Sequence, residues 1–113
     1  MLKKQNQLTK DKEFDDVFKN GQSSYDKIMG VKAVANNLDS SRFGILVSVK
    51  ISKKAVERNR IKRQIREIIR LDLDKIKPSY DVITITLGPI LGKTYQEIEK
   101  SVQNHFKKLK LYK

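Results

Sequence analysis

The stretch Lys53-Lys54-Ala55-Val56-Glu57-Arg58-Asn59-Arg60-Ile61-Lys62-Arg63-Gln64-Ile65-Arg66-Glu67-Ile68-Ile69-Arg70 carries two helical faces at once. At about 100° per residue, Ile61, Ile65, Ile68 and Ile69 share one arc, and Lys62, Arg66, Asn59, Arg70 and Arg63 fill the next. The first arc is a docking face and the second a basic stripe, flanked by Arg60. Arg58 falls above the apolar face in the first turn, where it can leave the core and meet a strand. Ser52 offers an N-cap and Pro78 a stop, so the spacing predicts a helix from there to about Ile76. A helix with a single apolar stripe needs a second layer to cover it, and the flanking sequence supplies strands.

Upstream, residues 28–35 alternate as a strand. Met29, Val31, Ala33 and Ala35 lie on one side and Ile28, Gly30, Lys32 and Val34 on the other. Gly30 inside that run predicts a bulge or a close approach by another group. Asn36 to Ser41 is turn chemistry, and residues 42–49 form a second strand, which predicts a hairpin. Downstream, the apolar, β-branched residues 81–87 form the best buried strand, closed by Gly88-Pro89. Thr94-Tyr95-Gln96-Glu97 is a capping box. Tyr95, Ile98, Val102, Phe106 and Leu109 then follow at three- and four-residue steps on a last helix. Near the start, Thr9 can cap a helix running to about Asn20, with Phe14, Val17 and Phe18 on one face and Gly21 as its stop. Residues 1–8 read as a polar, mobile leader. Helices and strands in this order predict an α+β sandwich on a small mixed sheet.

A length of 113 residues allows one domain, spanning the whole chain, and 38% hydrophobic residues suffice for a core. With no cysteine, disulfides and Cys-ligated metal sites are excluded, and one histidine, His105, leaves no pair for a metal or a relay. No apolar run approaches the roughly 18 residues of a membrane span, and the N-terminus shows no signal-peptide core. The expectation is a soluble, cytoplasmic protein with no membrane partner. Asp15 and Asp16 point about 100° apart on a helix and make a poor metal clamp. His105 reads as a surface or partly buried histidine rather than a general base.

The formal charge is +12. Residues 50–70 hold nine basic side chains against Glu57 and Glu67, which is +7 of that excess in a fifth of the chain. All arginines but Arg42 lie there, and a guanidinium fork grips phosphate oxygens bidentately. Asn59 among them can donate to phosphate and accept from a 2′-hydroxyl. A solvated amphipathic helix would balance its charges with acids, and this one does not. A membrane-surface helix or a calmodulin-type target would need the apolar face free, and the sheet claims it. The pattern points to a nucleic acid.

Ala55 to Glu67 resembles the arginine–asparagine–arginine motif of the protein-subunit family of bacterial ribonuclease P. Leu8-Thr9-Lys10, Phe14, Val17-Phe18 and Gly21 are similar to that family's first helix, Arg42-Phe43-Gly44 to a strand, and Tyr80-Asp81-Val82-Ile83 with the closing helix to the rest. The resemblance implies a ribosomal protein S5 domain 2-like fold, a two-layer α+β sandwich with four strands in the order α-β-β-β-α-β-α. It also implies a left-handed βαβ crossover, where packing rules alone favour a right-handed one.

The resemblance further implies a non-catalytic subunit of a ribonucleoprotein endonuclease (a hydrolase in tRNA processing) whose active site is RNA. Magnesium would then be required by the holoenzyme and no cofactor bound by the protein. Lys53, Lys54, Arg58, Asn59, Arg60, Lys62, Arg63, Arg66 and Arg70 would bind the catalytic RNA. Lys10, Phe14, Phe18, Lys32, Lys50 and Tyr112 would hold the 5′ leader of precursor tRNA. Phe14 and Phe18 also read as plain core from spacing alone. The rival classes are a ribosomal or general RNA-binding protein, a protein-only nuclease and a DNA-binding repressor. The nuclease lacks active-site clusters, and the repressor lacks a helix-turn-helix pair.

Overall fold

The computed structural model describes residues 2–113. Three helices pack on one four-stranded sheet. In chain order these are α1 (Asp11–Asn20), β1 (Gln22–Tyr25), β2 (Met29–Ala35), β3 (Arg42–Leu46), α2 (Ala55–Asp72), β4 (Tyr80–Thr86) and α3 (Tyr95–Lys108). The sheet order is β1-β2-β4-β3, with β4 antiparallel to β2 and parallel to β3.

The expected hairpin between the second and third strands does not form, because β4 lies between them. Val82 and Ile83 of β4 are each fully buried, so the most apolar strand takes the position with neighbours on both sides. The turn at residues 36–41 instead folds over the entry of β4. The Asn36 amide donates to the Ser79 carbonyl (2.9 Å), Ser41 Oγ donates to the Lys77 carbonyl (2.7 Å), and the Tyr80 amide donates to Ser41 Oγ (3.0 Å). The hairpin that does form joins β1 to β2, with Tyr25 opposite Gly30.

Alternation splits the core between the two faces of the sheet. Met29, Val31, Ala33, Phe43 and Val82 pack with Ile61, Ile65, Ile68 and Ile69 of α2 and with Ile98, Val102 and Phe106 of α3. The isoleucine stripe of α2 is buried as its periodicity predicts. On the other face, Val17 of α1 packs with Leu8 and Ile83, flanked by Phe14, Val34 and Ile85. Thus α1 lies alone on the face opposite α2 and α3.

Three helix boundaries differ from expectation. Helix α2 starts at Ala55 with Lys54 as N-cap, and Ser52 serves the loop before it: its hydroxyl donates to Glu57 (2.6 Å) and its carbonyl accepts from Arg58 (2.8 Å). The helix ends at Asp72, and Ile76 lies beyond it, bridged to Tyr112. Helix α1 is capped at Lys10 rather than Thr9, because the Glu13 carboxylate accepts both the Thr9 and Lys10 amides (3.2 and 3.0 Å). The capping box at Thr94 forms as predicted. Gly21 ends α1 in extended backbone, and glycine is required there for space, since a Cβ would stand 2.5 Å from the Val17 carbonyl oxygen.

The expected mobile leader is packed over residues 2–8, with Met1 outside the described residues. Leu2, Asn6 and Leu8 are buried, the Leu8 amide donates to the Phe43 carbonyl (3.0 Å), and Asn6 Nδ2 donates to the Ser41 carbonyl (2.8 Å). The segment covers the outer edge of β3 and satisfies groups that an edge strand would leave unpaired.

Candidate nucleic-acid interface

Burial of the isoleucine stripe turns the basic stripe of α2 outward. Asn59, Arg60, Arg63 and Arg70 are exposed, and Lys62 and Arg66 are half-buried. Among the described residues, Arg60, Lys62, Arg63 and Arg66 have no acidic partner within salt-bridge distance. Arg70 differs, for it is clamped by Glu67 at 3.0 Å (Nε) and 2.5 Å (NH2). Arg58 is turned inward onto the Ser52 carbonyl, so it holds the loop carrying Lys53 and Lys54 against the helix. Arg42, outside the stripe, is consumed by Glu13 and by Asp81, the latter at 2.8 Å (Nε) and 2.7 Å (NH2). Unpaired guanidinium groups are thereby confined to one helix face.

The opposite face of the sheet is only half covered. Gly21, at the end of α1, is within reach of the Ala33 carbonyl, and Arg42 ties the start of α1 to Asp81. Helix α1 therefore crosses the end of the sheet where β4 begins, and the end where β4 exits stays bare. On its border, Phe18 is 42% exposed and Lys32 Nζ stands 5.9 Å from the Phe18 ring centroid. Phe14 packs over Gly44, where a Cβ would stand 2.7 Å from the ring. Around the β3 edge, Phe14 and Arg66 line one hollow of about 130 Å³ with Leu8, Phe43 and Ile45, joining the cleft to the basic helix.

An outward face of unpaired cations on α2, and an exposed phenylalanine with a lysine at its border on the other side of the sheet, suit a protein that holds RNA. Residues 2–110 match the sequence profile of the family described as Ribonuclease P. The chain belongs to the ribonuclease P protein family. It is 41% identical to the ribonuclease P protein component of Clostridioides difficile over 89% of each chain. It is 40% identical to that of Bacillus pumilus over 98% of this chain and 93% of the relative. The solved ribonuclease P protein of Staphylococcus aureus superposes with a TM-score of 0.87 at 32% identity, over 96% of this chain and 98% of that one. That of Thermotoga maritima gives 0.78 at 28% identity, over 87% and 92%. Family members are the protein component of an endoribonuclease that processes the tRNA 5′ end, acting with the ribonuclease P RNA and precursor tRNA.

Within this ribonuclease P fold, Phe14, Phe18 and Lys32 come together on the half-bare face. Lys10 caps α1, and Lys50 sits in the exposed turn after β3, at the bare end of the sheet. Tyr112 does not join them. Its ring packs 6.0 Å from that of Phe106, and its hydroxyl donates to Asp72 (3.1 Å), on the side of α2 and α3. Burial and the Asp72 carboxylate push its phenol well above its ordinary range.

Three residues of the bare face escaped the sequence reading: Tyr25, Ile85 and Leu46. Pairing aligns them in one row, Tyr25–Gly30–Ile85–Leu46, and only the register reveals it. The signal available was the predicted close approach at Gly30, which the Tyr25 ring supplies.

His105 is buried, 1% exposed, rather than on the surface. Its Nδ1 bonds Ser24 Oγ at 2.7 Å, and its Nε2 stands 3.0 Å from Asp26 Oδ2 at an angle too poor for a hydrogen bond. Among the described residues no group of three His, Cys, Asp or Glu stands close enough to hold a metal, and no helix is long and apolar enough to cross a membrane.

Proposed function

We propose that the chain divides its two RNA partners between the two sides of the sheet. Arg60, Lys62, Arg63 and Arg66, with Asn59, Lys53 and Lys54 beside them, dock on the catalytic RNA's phosphates. Arg58 supports that face from within, and Arg70 contributes less because Glu67 neutralises it. On the opposite side the 5′ leader of precursor tRNA lies along Phe14, Phe18 and Lys32, with Lys10 and Lys50 at the two ends. Aromatic faces hold unpaired bases, and lysines hold the backbone without reading sequence.

The observation that carries this reading is the set of unpaired cations on one face of α2, held by its isoleucines on the far side of the sheet from Phe18 and Lys32. Magnesium belongs to the RNA. The protein's cations lower the divalent concentration at which RNA and substrate associate, by replacing counterions on phosphate. The work is done in the cytoplasm. The test is a comparison of precursor and mature tRNA binding by the reconstituted ribonucleoprotein. The expected result is that Phe14→Leu and Phe18→Leu weaken the precursor alone, while Arg60→Ala and Arg66→Ala weaken assembly with the catalytic RNA. Equal loss for both tRNAs removes the leader cleft from the account.

A further inference from the structure

We infer that Tyr25 is a second base-stacking platform in the leader cleft, preformed by its seat on Gly30. The inference rests on the leader reading above and extends it to a residue that reading does not contain.

Tyr25 ends the short edge strand β1 and is 49% exposed. It pairs with Gly30, and a Cβ on Gly30 would overlap three carbons of the ring, Cδ2, Cε2 and Cζ. Gly30 does not have a positive φ, so glycine is there for space and not for conformation. One face of the ring is thus spent on backbone and the other is left to solvent, which is the geometry a stacked base needs. Ile85 and Leu46 continue the same row as an apolar floor, with Leu46 36% exposed. Lys32 lies two residues from Gly30, about 7 Å along the strand, on the same side of the sheet. Its ammonium reaches toward Phe18. Phe18, Lys32 and Tyr25 therefore alternate ring, cation, ring across the bare half of the face, fitting two unpaired bases with backbone phosphate between them.

The platform is also held still. Alternation sends the two neighbours of Tyr25 to the other face, and both are pinned to α3 there. Ser24 bonds the buried His105, while Asp26 accepts Ser101 Oγ at 2.5 Å and the Ile28 and Met29 amides at 2.8 and 2.9 Å. A ring whose strand is fixed on both sides loses little freedom when a base lands on it.

A competing explanation is that Tyr25 merely covers Gly30, since a cross-strand aromatic stabilises a sheet glycine. The two roles separate in a holoenzyme reconstituted with ribonuclease P RNA. Tyr25→Leu keeps an apolar cover and removes the aromatic face, and Tyr25→Phe keeps both. Gly30→Val displaces the ring from its seat. The expected result is a loss of about fivefold or more in precursor-tRNA affinity for Tyr25→Leu and Gly30→Val. Mature-tRNA affinity stays unchanged, and Tyr25→Phe stays near the parent. A 2-aminopurine walked along the leader should show one quenched position that Tyr25→Leu releases and Tyr25→Phe does not. Equal precursor affinity for Tyr25→Leu and Tyr25→Phe would overturn the platform. If Phe18→Leu still weakens precursor binding while sparing mature tRNA in that case, the cleft stands without Tyr25. If it does not, the leader reading itself has failed.

Discussion

Lys32 Nζ stands 5.9 Å from the centroid of the Phe18 ring, across the gap between β2 and α1. Neither group is spent in the core: Phe18 is 42% exposed, and Lys32 has no acidic partner among the described residues. A cation near a ring is worth about 0.5–1 kcal/mol at an exposed site, too little to explain their placement by stability alone.

Lys32→Gln should therefore leave thermal stability within about 1 kcal/mol of the parent. It should reduce the salt dependence of precursor binding by about one single-strand phosphate, a change of roughly 0.7 in slope. Precursor affinity measured at several salt concentrations checks this, with mature tRNA as the control.

The triple substitution Arg60→Ala, Arg63→Ala, Arg66→Ala should flatten the salt slope of binding to the catalytic RNA by about 2–3, at roughly 0.7–0.9 per phosphate contact. Arg70→Ala should change it by less than any one of the three, because Glu67 already neutralises that guanidinium. Filter binding over a salt series separates the two cases.

Arg42→Ala should be the costliest polar substitution in the chain. Asp81 is 3% exposed, and losing the guanidinium leaves it only Asn36 Nδ2 at 2.8 Å. Breaking a pair with one charge buried costs about 3–5 kcal/mol, read as a lowered denaturation midpoint. Because the same arginine holds Glu13 on α1, precursor affinity should fall with it.

Acid should loosen the sheet at its covered end, through Glu13, and at its bare end, through Asp26. Burial opposes ionisation of Glu13, but the Lys10 and Thr9 amides and Arg42 outweigh it and hold its carboxyl below the ordinary range. Burial likewise opposes ionisation of Asp26, and the Ser101 hydroxyl, the Met29 and Ile28 amides and His105 outweigh it. Depressed carboxylates contribute stability that is full above their unfolded pKa values near 4 and is lost as pH falls through the lower folded ones. Midpoints measured from pH 6 downward should hold to about pH 4.5 and then drop. Asp26→Asn and Glu13→Gln should each make that drop shallower.

Gly44→Ala should displace Phe14, whose ring would stand 2.7 Å from the new Cβ. Overpacking of this kind costs about 1–3 kcal/mol, and precursor affinity should fall while catalytic-RNA affinity holds.

The sequence made some of this legible, for identifiable reasons. Helix α2 was readable because four isoleucines recur on one arc and the arginines on the next, and α3 because Thr94 and Glu97 form a capping box. Strand β1 was not placed from its own residues, because Gln22-Ser23-Ser24-Tyr25 is polar and gains its partner only from β2. The turn at Asn36 to Ser41 suits a hairpin equally well as a crossing over one strand. The entry of β4, which binds that turn, lies some 40 residues further on. The cleft was half visible: Phe14, Phe18 and Lys32 came from the family resemblance. Tyr25, Ile85 and Leu46 share a face only through sheet register. Tyr112, near the chain end, was assigned to the cleft, yet the bridge to Ile76 takes it to the other side.

The central claim is that this chain serves a catalytic RNA by holding it and its substrate. Cleavage of precursor tRNA by a bacterial ribonuclease P RNA at low magnesium, with and without the protein, tests it most directly. The account predicts strong stimulation by the parent chain, a large loss with the Arg60, Arg63 and Arg66 triple substitution, and no cleavage by the protein alone. Absence of stimulation, or robust cleavage by RNA-free protein, would contradict it.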